Sequence, residues 1–186
     1  MHTNKMVFPG IILLLGLFLG LVSLVSSPRV TLASSNPSVS RVEDSSAHIT
    51  LLAQAYPASI RQWEPLIVSR SQQHGLDPNL VAALILQESG GNAQAYSVSG
   101  AVGLMQIMPR DGIASSFQCG DHACFQNRPS MSELQDAEFN IEYGVRYLSS
   151  LINKYGDVRE ALYHYGPMDV GYHYADTVLA IYRSYH

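Results

Sequence analysis

The stretch DPNLVAALILQESGGNAQAYSVSGAVGLMQIMP, residues 77–109, decides how this chain is read. Asp77 is a good helix N-cap and Pro78 suits the first helical position. The pattern predicts a helix ending at Ser89, where Gly90 and Gly91 stop it. Val81, Leu84 and Ile85 fall at i, i+3 and i+4, and Glu88 falls at i+7 on the same stripe. The periodicity therefore carries a carboxylate onto the inward face. A buried carboxylate without a partner is costly and tends to hold its proton. A protonated carboxyl at the edge of a core is what a general acid needs near neutral pH. On the pattern alone a plainer account stands first, because helix ends often carry a polar residue at the core boundary.

The residues that follow shift the balance. Ser97 opens a small-residue loop that runs through Gly100-Ala101-Val102-Gly103 into Leu104-Met105-Gln106-Ile107-Met108, ended by Pro109. This region resembles the catalytic domain of the soluble lytic transglycosylases, of the goose-type lysozyme superfamily. That family carries Glu-Ser at a helix end, a Ser about eight residues on, then Gly-Ala-x-Gly-Leu-Met-Gln and a nearby Pro. Glu88-Ser89, Ser97, the run from Gly100 to Gln106 and Pro109 match without a gap. The resemblance extends over about residues 60–182. It includes Asn140-Ile141 followed by Gly144 and Tyr147-Leu148, and then Ala161-Leu162 with Tyr165. Gly166 stands where the family usually has Asn, which leaves one substrate hydrogen bond open.

The whole chain has 186 residues, a net charge of -4 and 14% charged residues, which suits one globular domain plus a tail. It has no basic stripe of the kind nucleic-acid binding requires, and no phosphate-cradling glycine loop. Residues 7–25 are uncharged and apolar, so residues 1–33 read as an export signal or an uncleaved N-terminal membrane anchor. Residues 34–56 read as a Ser-rich linker, and residues 57–186 as the catalytic domain. The expected location is extracytoplasmic, in the cell wall or periplasm, and the expected state is a monomer.

The rest of the domain reads as helices. One covers residues 57–74 with a break near Pro65, one residues 137–155 after Asp136, one residues 158–165 after Asp157, and a last one residues 172–185. The 137–155 helix is apolar on more than one side and is expected deep in the core. No strong strand is visible, so the expected fold is all-α: a single lysozyme-like helical domain with a disulfide-containing loop. Cys119 and Cys124 lie close together in a loop-rich insert over residues 110–130, and in an exported chain they read as that disulfide. His122 between them is a poor match to structural zinc spacing, so no metal is expected.

The resemblance implies an enzyme that cleaves the MurNAc-β-1,4-GlcNAc bond of peptidoglycan glycan strands without a cofactor. Glu88 would be acid and then base. Tyr165 would orient it by a hydrogen bond, although Tyr163 is a rival and an ordinary core tyrosine is an equally good account. Ser89, Ser97, Gly103, Met105 and Gln106 would line the sugar site. Glycoside cleavage ordinarily takes two carboxylates. Asp111, Asp121 and Glu138 are the nearest further candidates, and no motif marks any of them. A goose-type lysozyme that uses water, a non-catalytic glycan-binding module and a purely structural helical domain are the alternatives.

Overall fold

A computed structural model describes residues 51–185. The N-terminal apolar stretch at residues 7–25 and most of the expected linker lie outside them. Among the described residues, no helix is long and apolar enough to cross a membrane.

The packed unit is built around one buried helix. Helix α1 (Ala58–Arg61) is a single turn, and α2 (Glu64–Gln73) restarts with a proline in its first turn, so the expected break near Pro65 is present. Helix α3 (Pro78–Ser89) begins as its sequence dictates. The Asp77 carboxylate accepts the Asn79 N–H, and Gly90 ends the helix in the left-handed conformation at φ 62°. Instead of burying one stripe, α3 is buried on every side from Pro78 to Ile85. Ala82 and Ala83 are small enough to let neighbouring elements close in around it. Burial of side chains the size of Val81, Leu84 and Ile85 stabilises by about 1.5–3 kcal/mol each.

Helices α2 and α7 (His173–Tyr185) pack against α3, and α5 (Ala137–Tyr155) packs against α2; the three contribute Ile67, Ile141, Val145, Leu148, Ala175 and Val178 to the same core. Tyr182 of α7 donates to the second carboxylate oxygen of Asp77 at 2.7 Å, tying the last helix to the start of α3. Helix α6 (Val158–Tyr165) is capped by Asp157 and packs between α5 and α7. A short helix α4 (Met131–Leu134), closed by a Ser130–Glu133 capping box, precedes α5.

Two expectations need correction. The packed unit begins before Pro57, because Leu52 and Tyr56 are buried in the core and Asn79 fixes both ends of this entry segment. Helix α5 lies at the core's edge, with Ile141, Gly144, Val145 and Leu148 inward while Phe139, Tyr143, Arg146 and Tyr147 keep outer surface. Its outer apolar character is aromatic, and rings with polar edges tolerate that position. The expected all-α fold is present, and its insert holds a minimal antiparallel hairpin, β1 (Gln118–Cys119) and β2 (His122–Ala123), closed by the expected Cys119–Cys124 disulfide.

Candidate active site

Glu88 sits in the last turn of α3, where the buried helix emerges beside the loop over residues 95–107. Part of its surface stays accessible, as a group that must meet a substrate requires. Its carboxyl is nonetheless desolvated strongly enough to push its pKa up to about 7, while a hydrogen bond from Tyr174 acts in the opposite sense. No second carboxylate acts on its charge among the described residues. Asp111 accepts the Met131 N–H at 2.7 Å, Glu138 pairs with Arg70 at 2.5 Å, and Asp121 lies exposed at the hairpin tip.

The partner of Glu88 is not the expected one. The Tyr174 hydroxyl, from the first turns of α7, donates to Glu88 Oε1. Tyr165 instead donates to the Met105 carbonyl at 2.9 Å, so its one proton holds the loop and not the carboxylate. Both phenols are held well above their usual pKa, first by burial and then by the nearby charge of Glu88, so they stay donors throughout the physiological range. Gly166 explains how Tyr174 gets there. A Cβ at this position would lie 2.2 Å from the Tyr174 ring. The departure from the family's Asn therefore makes room for the residue that touches Glu88. The readable clue was a tyrosine on the core face of the last helix, whose hydroxyl needs a partner once buried.

The loop is shaped by α5 more than by its own ladder. Val102 and Ile107 exchange backbone hydrogen bonds at 3.0 and 3.1 Å, and residues 103–106 turn between them. Asn140, fully buried, bonds this turn twice and the end of α4 once. Its Oδ1 accepts the Met105 N–H at 2.8 Å, and its Nδ2 donates to Val102 O and Leu134 O at 2.9 Å each. Gly103 takes φ 78°, and a Cβ there would lie 2.3 Å from the Asn140 amide nitrogen, so only glycine fits. At Gly144 of α5 an added Cβ would lie 2.4 Å from the Met105 sulfur, so the missing side chain lets the loop seat against the helix. A polar residue among the apolar inward positions of α5 was the signal that could have singled out Asn140.

The expected sugar-lining residues divide accordingly. Met105 is completely buried, so its side chain packs inward. The Ser89 hydroxyl bonds Leu104 O at 2.8 Å and accepts the Gly91 N–H, fastening the end of α3 to the loop. Ser97 Oγ accepts the Ala101 N–H at 2.9 Å and stabilises its turn. Gln106 keeps an open role. It is the single non-glycine residue with positive φ (46°) among the described residues, and its Nε2 donates to Gly103 O at 3.0 Å. A bulky residue held in that region marks a place where surrounding structure overrides local preference. Among the described residues, no group of three or more His, Cys, Asp or Glu forms a metal-binding cluster.

With Glu88, the loop and the tyrosines in place, comparison with known families is decisive. The family model of the Transglycosylase SLT domain matches residues 65–175, which include Glu88, Gln106, Tyr165 and Tyr174. This chain belongs to the SLT family. Among curated relatives, the endo-type membrane-bound lytic murein transglycosylase A of Klebsiella pneumoniae is 41% identical over 92 residues, covering 50% of this chain and 44% of the relative. The membrane-bound lytic murein transglycosylase E of Buchnera aphidicola is 32% identical over 101 residues, covering 54% and 44%. The chain thus spans less than half the length of the curated relatives it matches. A solved structure of an inactive mutant of the lytic transglycosylase Slt from Pseudomonas aeruginosa aligns over 70% of this chain and 22% of its own, with 25% identity and a TM-score of 0.46.

Proposed function

We propose that this SLT domain is a peptidoglycan lytic transglycosylase that cleaves the MurNAc-β-1,4-GlcNAc bond and leaves 1,6-anhydro-MurNAc ends. The observation that carries the reading is Glu88: a carboxyl with its pKa raised to about 7, held by one phenol, with no second carboxylate acting on it. A neutral Glu88 donates its proton to the glycosidic oxygen as the C1–O bond breaks. The N-acetyl carbonyl of the sugar supports the cation that develops at C1. The C6 hydroxyl then attacks C1 and gives its proton to the Glu88 carboxylate, which restores the acid. Atoms balance without water, and one group serves both proton transfers.

Gln106 and the backbone of residues 103–106 line the sugar side, and Tyr165 holds that backbone through Met105 O. An extracytoplasmic location is in keeping with the Cys119–Cys124 disulfide, since such bonds persist in oxidising compartments. The names of the relatives, which are membrane-bound murein enzymes, agree with both substrate and location.

The test is mass spectrometry of a digest of purified peptidoglycan, with and without borohydride. Anhydro ends are lighter by one water than hydrolysed ends and resist reduction. Reducible muramic ends would replace this reading with a lysozyme that activates water. No cleavage at all would leave a glycan-binding module.

A further inference from the structure

The outer face of α5 carries a shallow depression of about 310 Å³, lined by Tyr143, Arg146, Tyr147 and Ser150. None of these residues belongs to the Glu88 site, and Tyr147 packs against Tyr165. Tyr143 and Tyr147 are one helical turn apart, so they share a face. The Arg128 guanidinium lies 4.4 Å from the centre of the Tyr147 ring, and that of Arg146 lies 5.2 Å from the Tyr143 ring. Cation–π contacts of this kind orient a guanidinium without neutralising it. Among the described residues neither arginine pairs with a carboxylate, although Arg70, Arg110 and Arg159 all do. The hydroxyls of Tyr143 and Tyr147 likewise have no hydrogen-bond partner among the described residues. One unneutralised cation, Arg146, and two open hydroxyls thus line one depression, with Arg128 against the Tyr147 ring at its border, in a chain whose net charge is -4.

We propose that this depression binds the carboxylate-bearing peptide stem of the peptidoglycan strand held at Glu88. The proposal rests on the reading of the chain as a peptidoglycan-cleaving enzyme. The occupant follows from which surfaces are free. A neutral sugar would need an open ring face, but the Tyr147 ring is flanked by Arg128 and by Tyr165 at 5.4 Å, and the Tyr143 ring by Arg146 and Phe139. What remains open is the guanidinium forks and the phenol edges, which match a carboxylate. The site is also within reach of the cut. Tyr147 packs against Tyr165, and Tyr165 holds the loop that lies beside Glu88. A stem branching from a sugar near that loop meets α5 next.

The experiment measures binding of muramyl tetrapeptide and of the same sugar without its peptide, by calorimetry, to the Glu88→Gln protein. The stem should tighten binding by roughly tenfold or more, as hydrogen bonds to a charged group do. Arg146→Ala should remove that gain without changing binding of the bare sugar, and Arg146→Lys should restore part of it. Raising the salt concentration should shrink the gain as well. An equal affinity for the two ligands, or an equal loss on both in Arg146→Ala, would overturn the proposal. Cleavage of stem-bearing and stem-free strands by the unaltered protein, run alongside, separates the two ideas. If neither strand is cut, the enzymatic reading fails, and the calorimetric preference still decides whether the depression takes the stem.

Discussion

The Tyr174 hydroxyl reaches across 86 positions of sequence to donate to the Glu88 carboxylate. This bond opposes the desolvation that raises the pKa of Glu88. In Tyr174→Phe the carboxylate loses its donor, so the pKa should move further above about 7. The alkaline limb of kcat/KM should therefore shift to higher pH while kcat falls. A pH–rate profile in which the limb keeps its wild-type position would show that the bond does not tune the acid.

Glu88 should also make folding pH-dependent. Its folded pKa is raised from 4.5 to about 7, so its neutral form is favoured by folding. That contribution is complete below about 4.5 and is lost as pH rises through about 7, at a cost on the order of 2–3 kcal/mol. Glu88→Gln removes the charge. It should melt close to the wild type at pH 4.5 and higher than the wild type at pH 8, while turnover falls by roughly 10²-fold or more. Melting curves at the two pH values check the sign. Asp111→Asn, Asp121→Asn and Glu138→Gln should each stay active.

Gly166→Ala tests the space behind Tyr174. Its φ of -81° suits any residue, so the effect is steric alone. A methyl 2.2 Å from the Tyr174 ring forces that ring to move, at a cost of about 1–3 kcal/mol. Activity should drop together with stability. Wild-type activity in a destabilised Gly166→Ala protein would show that the position of Tyr174 is not critical.

Asn140→Leu should be the most destabilising single change near the loop. It strands the Met105 N–H and the Leu134 carbonyl in a dry interior, at about 1–3 kcal/mol per group, and leaves the Val102 carbonyl with the Ile107 N–H alone. Chemical denaturation would measure the loss. By contrast, Cys119→Ser with Cys124→Ser should cost only about 2 kcal/mol, because the disulfide closes a short loop.

Most of the helical frame was legible in the chain because its punctuation is local. Asp77, Asp136 and Asp157 each accept a backbone N–H at the start of their helices, and Gly90 and Gly156 end theirs. Glu88 could be placed because its helix and the motif after it agree. What stayed hidden depended on contacts between distant segments. The choice between Tyr165 and Tyr174 turns on a steric gap at Gly166, and no periodicity records a gap. Met105 and Ser89 lie in the expected stretch, yet the direction of their side chains depends on Gly144 and Leu104. Helix α5 misled for a related reason: aromatic residues count as apolar in a pattern, whether or not they are covered.

Asn140 has one more consequence, for motion. Loops beside reactive groups usually open more readily than the scaffold under them. Here the Met105 amide proton is bonded to a fully buried side chain rooted in the first turn of the long helix, and the Met105 carbonyl is bonded to the end of another. Its exchange with solvent deuterium should therefore require the buried first turn of α5 to open. The slowest-exchanging amide of the 103–106 turn should be that of Met105, with a rate approaching those of Val145 and Leu148 in the helix core. The turn beside Glu88 would then be as long-lived as the fold, and whatever must yield when a strand enters or leaves has to lie elsewhere.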